Sequence, residues 1–337
     1  MAIIGITYDL KTDWQRNPDD PVDISAEFDK PETLEHIVTA LKSGGHTVVR
    51  IGNVENLLDQ INDLDVDIVF NVCEGISGRN RESQVPMLLE LKGIPYVGAD
   101  ALTLGITLDK IIAKRLFISE NIPTPRYCEI KEGDDLENFN ALDFPVIVKT
   151  RQEGSSKGIS VKSRVENCDA LKRQVQMIHA VYKQPALVEE FIKGTEFTVA
   201  VLGNDNPQAM PVVQVGIDGN VNLGDQFYTN ELVTSARLQY FCPARISEDL
   251  SKRIQELAVR VYQCVECRDW GRVDFRVDEQ GEPYVLEINP LPSLDVQDVF
   301  NIFPDVLGSD YNKTINQIIG FALERYGIRE TSTISVR

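Results

Sequence analysis

The sequence predicts an α/β N-terminal domain joined to a second half built from α+β and antiparallel β units. Three observations carry this expectation. At 337 residues the chain is too long for one ordinary core and suggests two or three domains. Up to Val97, short apolar runs alternate with helical stretches, the pattern of a parallel sheet with crossover helices. Beyond the proline-marked linker "IPTPRY" that alternation stops, and strands follow one another between glycine- and serine-rich turns.

Taken in order, "AIIGITY" reads as a buried strand. "PETLEHIVTALKSGG" follows as a helix, opened by Pro31 and stopped by Gly44 and Gly45. "TVVRIG", "VDIVFNV" and "IPYVG" are the next strands, separated by the helices "NVENLLDQINDLD" and "ESQVPMLLELKG". Ligands gather at the carboxyl ends of such strands, and "CEGISGRNRE" lies at one of them. A helix, "LDKIIAKRLFISEN", leads into the linker. "FPVIVKTRQEGSSKGISVKS" then reads as strand, glycine-serine loop, strand. The helix "CDALKRQVQMIHAVY" and the strand "ALVEEFI" complete a small α+β unit. From "EFTVAVLG" onward come antiparallel strands, the helix "SEDLSKRIQELAVRVYQCV", the hairpin "WGRVDFRVDEQGEPYVLEINPLP" and a closing helix, "NKTINQIIGFALERYG".

Composition narrows the function classes. A net charge of −18 argues against nucleic-acid binding, which needs a basic footprint, although a local cluster could still hold an anionic substrate. The longest apolar runs fall far short of the ~20 residues that span a bilayer, so no membrane association is expected. The opening "MAIIGITYDL" lacks a basic n-region and reads directly as a strand rather than a signal peptide. The six cysteines are scattered, and the Cys264–Cys267 pair has no second pair or histidine near it in sequence. They read as packing thiols of a reducing cytoplasm.

Two segments carry chemistry. In "KTRQEGSSKG", Lys149 ends a β run and is followed by Gly154, Ser155 and Ser156. Glycine lets backbone N–H groups approach an anion and serine hydroxyls add donors, so the loop either cradles phosphate or is a solvated turn. No GK[ST] enters a helix here, which excludes a Walker A loop. In the hairpin, Glu287 and Asn289 share a strand face, being two apart. If the connection at "DEQG" has two or four residues, Asp274 and Arg272 share that face too; a three-residue loop breaks the parity. Three oxygen donors on one face suit Mg²⁺, which prefers oxygen and bridges carboxylates to phosphates. The other reading is an ion-pair network of Arg272, Asp274 and Glu287.

In order and spacing, "FNVCEG", "LDKIIAKRLF", "FPVIVKTRQEGSSKGISV", "LVEEFIKGTEFTVAVLG", "YFCPA", "GRVDF" and "LEINPLP" resemble the ATP-grasp superfamily, and within it the D-alanine–D-alanine ligase family, over roughly residues 70–292. The resemblance implies an ATP-grasp fold: an N-terminal α/β domain at 1–103, a small lid subdomain at 104–188 and a C-terminal antiparallel-sheet domain at 189–330. It implies that ATP is held by Lys110, Lys149, Gly154, Ser155, Ser156, Glu189, Glu190, Phe191, Ile192 and Glu196. Mg²⁺, as two ions that Mn²⁺ could replace, is implied at Asp274, Glu287 and Asn289, with Arg272 and Ser155 as the catalytic residues. The implied reaction joins a small-molecule carboxylate to an amine through an acyl phosphate, releasing ADP and phosphate. A cytoplasmic homodimer is implied as well.

The departures concentrate where the family holds its amino acids. The family's glycine pair, serine and glutamate near the N-terminus survive only as "SAE", ending at Glu27. Its His-Gly and Gly-Glu-Asp-Gly become Glu74-Gly75 and "GRNRE", with Arg79 and Arg81. Leu232 and Val233 stand about where a Lys-Tyr pair is expected, Ser293-Leu294-Asp295 replaces Gly-Met-Thr, and the acceptor-binding serine falls near Asp298. An aspartate there repels a carboxylate. Glu27, Glu74, Arg79, Ser293, Asp295 and Asp298 are therefore the expected substrate residues, for two partners other than two D-alanines. Related diverged ligases join amino acids to other small metabolites, in natural-product biosynthesis for example. The alternatives are a D-alanine–D-alanine ligase proper, a phosphotransferase, and a nucleotide-binding regulator without catalysis.

Overall fold

The structure, a computed structural model, describes residues 1–328 except 138 and 234, so positions 329 and 330 of the expected C-terminal domain lie outside the described residues. The first unit is β1 (Ile3–Tyr8), α1 (Pro31–Ser43), β2 (Thr47–Gly52), α2 (Val54–Gln60), β3 (Ile68–Val72), α3 (Gln84–Lys92) and β4 (Tyr96–Val97). Its strands are all parallel, in the order β2-β1-β3-β4, as the alternation requires. Two helices follow: α4 (Ala101–Leu108), which the sequence reading passed over, and α5 (Lys110–Ser119). Asp109 between them is fully buried and caps α5 through the Ile112 N–H.

The second unit contains β5 (Tyr127–Ile130), β6 (Val146–Thr150), β7 (Arg164–Val165), α6 (Cys168–Tyr182) and β8 (Ala186–Glu190), an antiparallel sheet in the order β5-β8-β6-β7. The expected second strand after the glycine-serine loop is not there. Ser160 instead caps a single 3₁₀ turn at Val161–Ser163, and only Arg164 and Val165 pair with β6. Local hydroxyl-to-backbone bonds compete with the ladder, as they do wherever Ser can reach its own backbone.

The third unit is β9 (Gly194–Leu202), β10 (Gln208–Ala209), β11 (Val213–Ile217), α7 (Asn230–Val233), β12 (Leu238–Phe241), α8 (Glu248–Cys264), β13 (Trp270–Asp278), β14 (Pro283–Asn289), α9 (Val299–Val306) and α10 (Tyr311–Arg325). Its strands run β12-β11-β9-β13-β14, with β10 added to β9. The hairpin of β13 and β14 corrects the parity argument. Its turn is a three-residue one, Glu279-Gln280-Gly281, closed by the Asp278 N–H on the Glu282 carbonyl at 3.1 Å, with Gly281 at φ +86°. Val277 therefore faces Pro283 and Phe275 faces Val285, the wrong parity for a shared polar face. Leu286 is then an extra residue: the register shifts so that Asp274 faces Glu287 and Arg272 faces Asn289. This β-bulge restores what the turn breaks.

One apolar core runs from the first sheet through the third and into α9 and α10. Trp270 sits at its middle, fully buried, with its ring 6.3 Å from Phe70 and 5.2 Å from Phe300. The linker is pinned as well: Val285 N–H donates to the Pro123 carbonyl and the Thr124 hydroxyl to the Val285 carbonyl, each at 2.8 Å. Trp270→Ala leaves a cavity where the two sheets meet and should lower stability by about 3–5 kcal/mol, read as a lower urea midpoint.

Candidate functional site

A cavity of ≈ 440 Å³ is lined by residues from all three units, and every residue expected from the sequence to hold nucleotide, metal or substrate lines it except Arg79. The bulged hairpin forms its charged wall. Arg272 donates to both oxygens of Asp274 at 3.0 Å, Asn289 Nδ2 to Asp274 Oδ2 at 2.9 Å, and the Thr198 hydroxyl to Asp274 Oδ1 at 2.6 Å. Lys110 reaches in from the start of α5, with Nζ 3.1 Å from Glu287 Oε2 and 2.5 Å from the Glu153 carbonyl. Burial alone would raise the Glu287 carboxyl, but Lys110 and Lys149 outweigh it and hold it low. So an ion-pair network is present, and the same face offers two carboxylates and an amide oxygen. Among the described residues no group of three or more His, Cys, Asp or Glu encloses a metal site. That donor set fits a hard cation such as Mg²⁺, which takes its remaining ligands from water and phosphate.

Glu189 sits beneath this wall, with 1% of its side chain exposed. Lys114 and Lys149 each place Nζ 2.7 Å from one of its oxygens. Burial pushes Glu189 up, yet the two lysines pull it down to about 2. Lys149 stays above its ordinary range despite burial, because Glu189 and Glu287 both face it. Lys114 was missed in the sequence, although it follows Lys110 by four residues and so shares its helix face.

The strand end Glu189–Ile192 borders an apolar slot made by Ile147, Phe191 and Phe227, the two rings edge to face at 5.7 Å. The Glu190 side chain turns outward to Arg126, 3.1 Å away, and the N–H groups of Glu190 and Phe191 are spent on the carbonyls of Arg126 and Pro145. Arg276, also missed, binds Glu196 at 2.5 Å and the carbonyls of Ile192, Gly224 and Gln226. It shares the period-2 face of Arg272 and Asp274, which was a usable signal.

The glycine-serine loop is closed over the cavity. Gly154 N–H donates to Glu27 Oε1 at 2.5 Å, Lys157 binds Glu27 Oε2 at 2.6 Å, and Gly158 N–H donates to Asp23 at 2.8 Å. Ser155 and Ser156 both take left-handed backbone, and Asn230 Nδ2 donates to the Ser155 carbonyl at 3.2 Å. The Glu27 side chain is buried; Lys157 and Arg81 overcome that burial and hold it low. As a carboxylate it anchors the loop.

Among the residues expected to meet substrate, Asp298 caps α9 through the Val299 N–H at 2.6 Å and lies 3.6 Å from Arg272. Asp295 takes Lys30 at 3.0 Å, and its own N–H donates to the Ser293 hydroxyl at 3.2 Å. The Tyr228 and Tyr240 hydroxyls meet at 3.1 Å beside them. Arg79 is the correction: its guanidinium turns away from the cavity and binds the buried helix cap Asp109 at 2.8 Å, which Arg151 also binds at 2.7 Å, so the two arginines share one buried carboxylate. Arg81 is likewise committed, to Glu27 at 2.7 Å and the Gln152 carbonyl at 2.8 Å.

Comparison with known proteins finds relatives in both sequence and fold. Residues 116–320 match the family model described as the D-ala D-ala ligase C-terminus. A D-alanine–D-alanine ligase of Carboxydothermus hydrogenoformans is 32% identical, covering 87% of this chain and 93% of its own. An uncharacterised protein, y4sG, of Sinorhizobium fredii is 33% identical over 87% of this chain and 88% of its own. In fold, the D-alanine–D-alanine ligase of Bacillus anthracis, solved in complex with ATP, superposes with a TM-score of 0.75 at 22% identity, over 97% of this chain and 99% of that one.

The buried Glu189 pair generates a stability prediction with a defined sign. A carboxyl depressed in the folded state stabilises it fully above the unfolded value near 4.5, and that contribution is lost as pH falls towards 2. Glu189→Gln should cost on the order of 3 kcal/mol at pH 7, and its deficit against wild type should shrink below pH 4.5, read from urea midpoints at each pH.

Proposed function

Since the chain belongs to the D-alanine–D-alanine ligase family, whose members are ATP-dependent, ADP-forming C–N ligases that use Mg²⁺, we propose that it joins a small-molecule carboxylate to an amine other than the D-alanine pair. The observation that carries this reading is the Leu286 bulge, which gathers Arg272, Asp274, Glu287 and Asn289 on the cavity wall that Lys110 and Lys149 also enter. ATP lies with its base in the Phe191–Phe227 slot, its ribose towards Glu196 and its phosphates under the loop at Gly154–Ser156. Asp274, Glu287 and Asn289 would hold Mg²⁺, which when bound neutralises phosphate charge.

The substrate carboxylate attacks the γ-phosphorus, giving ADP and an acyl phosphate; the amine then attacks the acyl carbon and phosphate leaves. Both steps build negative charge on oxygen, and fixed cations aimed at it need no reorganisation. Arg272, Lys110 and Lys149 supply those cations. The loop, tied to Glu27, keeps water from the acyl phosphate. Asp298, a carboxylate beside Arg272, supports the changed specificity, because it opposes a second amino acid's carboxylate. The homodimer and the cytoplasmic setting are part of the same proposal; among the described residues no helix is long and apolar enough to cross a membrane, and all six cysteines are free.

Purified protein with ATP, Mg²⁺ and amino-acid pools should release ADP and yield a new C–N bond, followed by coupled assay and mass spectrometry. Robust D-alanyl-D-alanine synthesis would refute the altered specificity, and a phosphorylated product without C–N bond formation would make the protein a phosphotransferase. Asp274→Asn and Glu287→Gln should each lower turnover by at least about 100-fold while the circular dichroism spectrum holds.

A further inference from the structure

Two carboxylates at the N-terminal end of the cavity have no role in the chemistry above. Glu74 follows β3, Glu82 precedes α3, and both line the cavity. Gly75 brings them together. It has φ +74°, and a Cβ on it would fall 2.5 Å from the Arg81 carbonyl oxygen, so a larger residue would push the Arg81–Glu82 segment away. The turn is fixed by the Gly75 N–H on Asp9 at 2.9 Å.

The nearby cations are already engaged. Lys157 and Arg81 bind Glu27, and Lys110 binds Glu287. Glu82 is 7% exposed, and neither it nor Glu74 receives a hydrogen bond or an ion pair among the described residues. Burial raises both carboxyls. Glu82 rises to about 7, with Arg81, Lys110 and Lys157 opposing the rise and Glu27 adding to it; Glu74 is raised further by Glu82 and Glu27. Burial and the neighbouring carboxyls disfavour the charged form of both groups, and a cation placed between them would reverse that.

We infer that a cationic side-chain terminus of one substrate, an ammonium or guanidinium, sits between Glu74 and Glu82, so that one of the two joined molecules is a basic amino acid. This rests on the ligase reading of the cavity and adds the substrate class. Two hydrogen-bonding carboxylates on one cation reject the neutral analogue strongly, because it would leave both unanswered.

The test titrates the protein, loaded with ADP and Mg²⁺, with matched probes in both chiralities: lysine against norleucine, and arginine against citrulline. The cationic member of at least one pair should bind at least tenfold more tightly, and Glu74→Gln and Glu82→Gln should each reduce that preference below about threefold. Both variants should melt no lower than wild type, since each replaces a carboxyl that has no hydrogen-bond or ion-pair partner. Equal affinities within both pairs, no binding by any probe, a preference that survives both substitutions, or a lower melting temperature would overturn the inference. If neutral amino acids are ligated and basic ones are not, the ligase reading stands and this one falls. If ADP fails to bind, the nucleotide reading falls, and the same titration without ADP still decides between the matched probes.

Discussion

A single extra residue in β14 determines which side of the third sheet carries charge. Strand side chains alternate, so a three-residue turn on its own would set Asp274 and Glu287 on opposite faces of the hairpin. One would then point into the core around Val273 and Ile288, where an unpaired carboxylate is costly. Leu286 cancels the mismatch halfway along, and beyond it Arg272, Asp274, Glu287 and Asn289 line one wall. The bulge is held at the sheet edge, where the linker bonds both the N–H and the C=O connection at Val285. Edge strands are where such bulges are tolerated.

Concentrating carboxylates on one wall imports an electrostatic problem, and the chain answers it with cations from other elements and from the hairpin itself. Lys110 comes from α5, Lys149 from the second sheet, and Arg272 from within the hairpin. Glu189 holds Lys149 above its ordinary range and opposes the burial that lowers Lys114. Pairs of this kind contribute little net stability, but removing one partner strands the other. That asymmetry suits a site whose cations must stay aimed at a ligand: the packing tolerates no rearrangement that separates them.

Much of this was legible because it follows from periodicity. The alternation of strand and helix gave the parallel sheet, and the two-residue spacing of Glu287 and Asn289 put them on one face. The Gly154-Ser155-Ser156 stretch announced a loop. What stayed illegible depends on non-local partners. Nothing in "RNRE" says that Arg79 turns to a buried cap at Asp109 while Arg81 crosses to Glu27. The bulge too was hidden, since the parity argument reached the right face through a turn length that is wrong. The 3₁₀ turn in place of a strand at "ISVKS" reflects Ser160, whose hydroxyl competes locally with ladder pairing.

The closed loop links the two ends of the cavity. Its backbone N–H groups, the donors that could cradle an anion, are partly spent on carboxylates of the N-terminal unit: Gly154 on Glu27 and Gly158 on Asp23, which also binds the Tyr182 hydroxyl at 2.8 Å. Segment 23–27 therefore acts as a strap across the loop, and its anions occupy donors of the kind a phosphate would use. Glu27 in turn draws Arg81 and Lys157 to itself, and this leaves Glu74 and Glu82 without a cation. The anchoring of the loop and the unpartnered carboxyls of Glu74 and Glu82 thus have one cause. The glutamate that fastens the loop also takes the cations that would otherwise neutralise its neighbours.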